Sequence, residues 1–117
     1  MLTPGIFDAF ASSVGALARH AKVRRVASGQ PGDGPNRCQA QLFVTEADAF
    51  LADPALQAEI FGAAGLIVQC RDAGQVRAIA EHLEGQLTAT LHLDEADHDA
   101  ARDLLPTLEL KAGRVLV

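Results

Sequence analysis

The sequence predicts an α/β fold: a partial parallel sheet of about four or five strands with helices packed on it. Three observations predict it. From Gly65 onward, apolar runs and amphipathic stretches alternate in the order strand, helix, strand, helix, strand. The connections between them are short, and short links between strands and helices of this length favour parallel pairing through crossovers. Hydrophobic residues make up 49% of the 117 residues, with five Phe and no Trp or Tyr. The core of a single domain of this size is therefore expected to be small-residue helices on strands, with few aromatic anchors.

Thr3-Pro4 reads as a helix start, with a hydroxyl at the N-cap and a proline in the first turn, where its missing N–H costs nothing. Ile6, Phe10, Val14, Leu17 and Ala21 recur at helical spacing and give one apolar stripe. Val23 to Ala27 sets basic residues in an apolar frame and predicts a short edge strand. The stretch SGQPGDGPNR that follows is dense in Gly and Pro and predicts an exposed loop. Its Gly-x-Gly-like spacings neither follow a clear strand nor open a helix, so it reads as a plain connection rather than a phosphate loop. Residues 1–38 thus form a helix, an edge strand and a loop ahead of an α/β core over residues 39–117.

Within that core, Gln39 to Thr45 (QAQLFVT) predicts a strand, and Asp53-Pro54 is a second cap-plus-proline start. Gly65 to Cys70 is a continuous apolar run, the pattern of a strand buried on both faces. Asp72 caps the next helix, with Gln75 as its capping-box partner. Val76, Ile79, Ala80 and Leu83 form that helix's inner face, and Gly85 stands where a left-handed C-cap belongs. Gln86 to Leu93 (QLTATLHL) alternates strictly, with Leu87, Ala89, Leu91 and Leu93 on one side. Asp94 starts the last helix, with Ala100, Leu104, Leu105 and Leu108 inward. Pro106 lies inside that pattern and is expected to kink it or loosen its last turns, and Gly113 ends it. Arg114 to Val117 is the final strand. Ligands of open α/β sheets sit beyond the carboxyl ends of the strands, and RVLV stops with the sequence there, so the chain is expected to be a piece of something longer.

Composition removes several functions. The net charge is −5, from 15 acidic and 10 basic residues. Phosphate binding rests on clustered Lys and Arg, and Lys22, Arg24 and Arg25 make one short patch, so nucleic acid is not expected as a partner. No segment has the eighteen or so apolar residues of a membrane span, and the first residues show no signal peptide. Cys38 and Cys70 do not make a disulfide framework. The compartment expected is the cytoplasm. Asp94, Asp97 and His98 share a helix face at i, i+3 and i+4, but Asp94 is needed as a cap and early acids favour a helix start, so no metal is expected. His20 and His82 read as surface residues, and no Ser/His/Asp or Cys/His set can be assembled.

Glu59-Ile60-Phe61-Gly62, directly before the Gly65 strand, resembles the Glu-x-Phe-Gly-Pro motif of the aldehyde dehydrogenase family. The resemblance continues through the acid-capped helix, the strand QLTATLH and the final LLPTLELKAGRVLV. The texture of FLADPALQAEIFG and EGQLTATLH resembles the branch that oxidises 2-oxoglutarate semialdehyde (2,5-dioxopentanoate). The resemblance implies a truncated, Rossmann-like catalytic domain. It implies oxidation of a small-molecule aldehyde to the acid by a cysteine thioester, with NAD or NADP as coenzyme. By the same resemblance Glu59 accepts hydrogen bonds from the nicotinamide ribose, Phe61 packs near the nicotinamide, Gly62 lets backbone pass close by, and Leu87 borders the same pocket. The family has Pro after the Gly; here Ala63 stands, which predicts a less rigid turn. The family's nucleophilic Cys, its general-base Glu and its dinucleotide domain lie upstream of these residues. The chain alone is therefore expected to be inactive, to bind no coenzyme, and to leave Glu59 solvated and Phe61 partly exposed. A stand-alone α/β binding or dimerisation module is the alternative, and on either reading the chain is expected to form homo-oligomers.

Overall fold

A computed structural model describes Met1 and residues 3–117. It divides into two compact units, Met1–Gln69 and Cys70–Val117.

The first unit opens with helix α1 (Pro4–Arg19), whose Thr3 N-cap accepts the Ile6 N–H at 3.2 Å. Strand β1 (Val23–Ser28) pairs antiparallel with β2 (Gln41–Glu46), and β2 pairs parallel with β3 (Ala64–Gln69), giving the order β1-β2-β3. The register of β1 slips between Arg25 and Ala27, so Val26 is an extra residue in a bulge. The Gly/Pro stretch is a loop closed at its base by Gly29 N–H on the Ala40 carbonyl at 2.8 Å. A short helix α2 (Ala47–Ala52) and a 3₁₀ turn (Pro54–Gln57) carry the chain from β2 towards β3. Asp53 starts that turn by accepting the Ala55 N–H at 2.9 Å.

The core of this unit is Phe10, Phe43, Val44, Ala47, Phe50 and Leu56, all buried. Three rings dominate it, and full burial of each contributes about 1.5–3 kcal/mol. Thr45 is the buried polar residue of β2, and its hydroxyl donates to the Lys22 carbonyl at 2.8 Å. The expectation of a strand buried on both faces fails at β3, where Ile67 is 46% exposed. An unbroken apolar run records hydrophobicity, not whether a second layer covers it.

The second unit holds α3 (Ala73–His82), β4 (Ala89–Thr90), a 3₁₀ turn (Glu95–Asp97), α4 (His98–Lys111) and β5 (Val115–Leu116). Asp72 caps α3 by accepting the Gln75 N–H at 2.8 Å, while the Gln75 side chain accepts the Arg71 N–H at 3.0 Å. Asp94 and Asp97 form a reciprocal capping box around the 3₁₀ turn, so α4 begins four residues after Asp94. Helix α4 runs through Pro106 to Lys111. Strands β4 and β5 pair in parallel at Ala89↔Val115 and Thr90↔Leu116. Lys111 Nζ ties α4 to the end of α3 through the Leu83 carbonyl at 2.8 Å.

The α/β class holds, but among the described residues the strands form two sheets, of three and two strands, not one of four or five. The pairing is not wholly parallel either, since β1 runs against β2. QLTATLHL contributes only Ala89–Thr90 to a strand, because its partner β5 supplies just two residues to pair with. Gly85 does not take a left-handed conformation; α3 ends on Leu83 in extended backbone, so no such cap is required. Ala100 is exposed, whereas Leu104, Leu105 and Leu108 are half-buried.

Candidate functional site

The first unit contains a cavity of about 430 Å³. One wall is a stripe of α1, Ser13, Ala16 and Leu17, continued by His20 just past the helix end. The 3₁₀ turn contributes Ala55 and Leu56, and the chain beyond it adds Ala58, Glu59 and Ile60. The far wall is the start of β3, with Ala64, Gly65 and Leu66. The lining is mostly small and apolar, and Glu59 brings a carboxylate to it.

Glu59 is exposed to solvent as well as bordering the cavity. Phe61, two residues on, is 68% exposed and is not part of that lining. Gly62 then turns the chain into β3 with φ +153°, a region L side chains rarely adopt. A Cβ there would stand 2.5 Å from Phe10 Cδ2, so only glycine lets the backbone pass over the buried ring. The next residue is held by two bonds: the Ala64 N–H reaches back to the Gly62 carbonyl at 2.9 Å, and the Ala63 carbonyl accepts the Gln41 N–H at 2.9 Å. The first is a γ-turn centred on Ala63, and because Ala63 is not a positive-φ residue it is the inverse type. The turn at Ala63, which lacks the family's proline, is made by these backbone bonds.

His20, expected as a lone surface residue, is instead an anchor. Its side chain is only 23% exposed and its Nε2 lies 3.0 Å from Asp53 Oδ2. Nδ1 accepts the Lys22 N–H at 3.1 Å, so Nε2 carries the proton and donates to Asp53. The pair pins the end of α1 to the 3₁₀ turn, thirty-three residues away in the chain. The His20 hydrogen bond, with the Ala55 N–H behind it, holds the Asp53 carboxyl below its ordinary range. Sequence spacing could not reveal this pair; the one local signal was Asp53-Pro54, which marked the turn but not its partner.

Leu87 belongs to the second unit and is 92% exposed, so the alternating pattern that put it on a covered strand face does not hold there. Gln86 and Gly113 bond across this corner, the Gly113 N–H reaching the Gln86 carbonyl at 3.1 Å. Cys70, expected to be buried, is half-buried, and its thiol is pushed up by burial and by Asp72. Cys38 is also half-buried and lies in the loop before β2. Among the described residues no group of three His, Cys, Asp or Glu could hold a metal ion, and no helix is long and apolar enough to cross a membrane.

No protein-family model matches the chain. Individual proteins do. Over 117 residues the chain is 49% identical to the curated α-ketoglutaric semialdehyde dehydrogenase 2 of Azospirillum brasilense, covering 100% of this chain and 22% of that protein. The chain matches a segment of the aldehyde dehydrogenases. A second curated relative, the α-ketoglutaric semialdehyde dehydrogenase of Acinetobacter baylyi, is 35% identical over 99% of this chain and 22% of its own length. The chain therefore spans about a fifth of the length of these dehydrogenases. Solved structures agree on the fold. The Δ-pyrroline-5-carboxylate dehydrogenase of Mycobacterium tuberculosis matches 100% of the chain over 21% of its own, with a TM-score of 0.79 at 18% identity. The NAD-dependent benzaldehyde dehydrogenase of Corynebacterium glutamicum matches 99% of the chain over 23% of its own, with a TM-score of 0.74 at 14% identity.

Proposed function

We propose that these 117 residues are part of the catalytic domain of an NAD(P)+-dependent aldehyde dehydrogenase that oxidises 2-oxoglutarate semialdehyde, and that they supply the rim of its nicotinamide site. The observation that carries the reading is the 49% identity, along the whole chain, to a curated dehydrogenase named for that semialdehyde. The residues present suit the coenzyme. Glu59 offers an exposed carboxylate, an acceptor-only group matched to paired ribose hydroxyls, and such charge-assisted bonds contribute about 1.5–3 kcal/mol. Phe61 offers an exposed ring beside it, suited to limit where the nicotinamide slides, and Leu87 is an exposed apolar side chain suited to contact with a coenzyme. The backbone bonds around Ala63 support a fixed placement of the Glu59–Phe61 segment.

The coenzyme supplies the hydride acceptor; this chain's residues bind and orient it. The thioester-forming Cys and the general-base Glu come from polypeptide outside these residues, so the chain alone neither oxidises aldehyde nor retains coenzyme. The active protein is a cytoplasmic homo-oligomer whose partners are the small-molecule aldehyde and NAD or NADP, with neither nucleic acid nor membrane.

The test replaces the matching segment of the A. brasilense enzyme with this chain and follows reduction of NAD+ and NADP+ with 2-oxoglutarate semialdehyde. The expected outcome is coenzyme-dependent oxidation by the chimera and none by the chain alone. Oxidation by the isolated chain, or a folded chimera without activity, would contradict the reading.

A further inference from the structure

We propose that His20 and Asp53 are positioning residues for the coenzyme: they act through Glu59, by fixing the upstream end of the short span that presents its carboxylate to the nicotinamide ribose. The inference rests on the functional reading for what Glu59 binds. The span is tied at its two ends. Downstream, the Ala63 carbonyl accepts the Gln41 N–H at 2.9 Å and so ties the span to β2. Upstream, the 3₁₀ turn Pro54–Gln57 ends at Ala58 in extended backbone, directly before Glu59. Among the described residues, Glu59, Ile60 and Phe61 make no hydrogen bond. The direction of the Glu59 carboxylate therefore depends on how the two ends are held.

The upstream end is held by a ring engaged at both nitrogens. The His20 backbone N–H donates to the Leu17 carbonyl at 3.2 Å, and the His20 carbonyl accepts the Val23 N–H at 3.0 Å. Nδ1 accepts the Lys22 N–H at 3.1 Å, which leaves the Nε2 proton directed at Asp53 Oδ2, 3.0 Å away. The other carboxylate oxygen, Oδ1, accepts the Ala55 N–H at 2.9 Å. The imidazole is thus a strut between the end of α1 and the start of the turn. Leu56 is buried in the same turn. Apolar burial is non-directional and sets the depth of the turn. A hydrogen bond weakens steeply off its axis, so the strut sets the turn's rotation. His20 and Glu59 border the same cavity, and a shift at the strut is passed along that wall to the carboxylate. Small misplacements of a group that orients a reactant are enough to weaken its action.

The test is calorimetric titration of NAD+ into the A. brasilense chimera and its variants, without aldehyde. Asp53→Asn keeps an oxygen for the Ala55 N–H but sets an amide donor against the Nε2 proton, so it breaks the strut and leaves the cap. His20→Leu breaks the strut from the other side and leaves Asp53 intact, so a chimera destabilised by one variant is read through the other. Each should raise the Kd for NAD+ by about 2- to 12-fold, the equivalent of one hydrogen bond, with the number of sites per chain unchanged. His20→Gln, whose amide N–H stands in for Nε2, should keep the Kd of the unsubstituted chimera. A merely structural role would lower the number of folded sites and leave Kd alone. In turnover, the KM for NAD+ should rise in parallel while the KM for the aldehyde stays unchanged. Once Glu59→Gln has weakened binding, adding Asp53→Asn should raise Kd no further, because the group it acts through is gone. Two results would overturn the proposal and leave the coenzyme reading in place. One is an unchanged Kd in both Asp53→Asn and His20→Leu where Glu59→Gln raises it. The other is an equal increment from Asp53→Asn with and without Glu59→Gln. An unchanged Kd in Glu59→Gln would contradict the coenzyme reading itself, and this inference with it.

Discussion

Gly62 and Ala63 decide how Glu59 and Phe61 are presented. Gly62 combines a φ of +153° with a buried ring under its α-carbon. Gly62→Ala is expected to cost about 1–3 kcal/mol, read as a lower urea midpoint. Ala63 sits at the centre of an inverse γ-turn, where φ is close to the value proline imposes, and its own N–H makes no bond among those described. Ala63→Pro is expected to raise stability by about 0.4–1 kcal/mol in the same measurement, by restricting the unfolded chain. Asp53 gives the pH dependence. Its carboxyl is held low by His20 first and the Ala55 N–H second, so its contribution is complete above the ordinary carboxylate pKa of about 3.9 and disappears as pH falls through the lower folded value. Asp53→Asn should flatten the acid limb of a plot of denaturation midpoint against pH, and an unchanged slope would show that the His20 bond does not form in solution. The turn at Asp53 was legible in the sequence because a cap and its proline are neighbours. His20 was not, because its partner lies across the fold.

Helix starts were the most readable elements. Thr3, Asp53, Asp72 and Asp94 each accept a backbone N–H two or three residues on, a bond made entirely within the local sequence. Ends and strands were less so. Gly85 matched a cap that α3 does not use, since Leu83 leaves the helix in extended backbone. The alternation of QLTATLHL is a property of side chains, whereas a strand needs a hydrogen-bonded partner, and β5 offers only Val115–Leu116. Pro106 was read correctly as lying within the last helix, and α4 continues past it. It still removes the N–H that would bond the Arg102 carbonyl. Pro106→Ala is expected to stabilise α4 by up to about 3 kcal/mol, seen as a higher Tm and greater helical circular dichroism.

Over the whole chain, the α/β class followed from the order of elements, but the assignment of strands to two sheets did not. Which strand lies beside which depends on contacts distant in sequence, and β1 antiparallel to β2 leaves no local trace. The Glu-Ile-Phe-Gly motif was legible through its resemblance to the aldehyde dehydrogenases, and the 49% and 35% identities along the chain agree with it. Glu59 and Phe61, two of the proposed coenzyme contacts, both lie in the first unit. The central claim is that the Glu59 carboxylate receives the ribose of the coenzyme. The most direct measurement is the KM for NAD+ of the A. brasilense chimera with and without Glu59→Gln. Loss of a charge-assisted pair of 1.5–3 kcal/mol corresponds to a rise of about 10- to 150-fold, with the chimera's fold unchanged. An unaltered KM and kcat would contradict it.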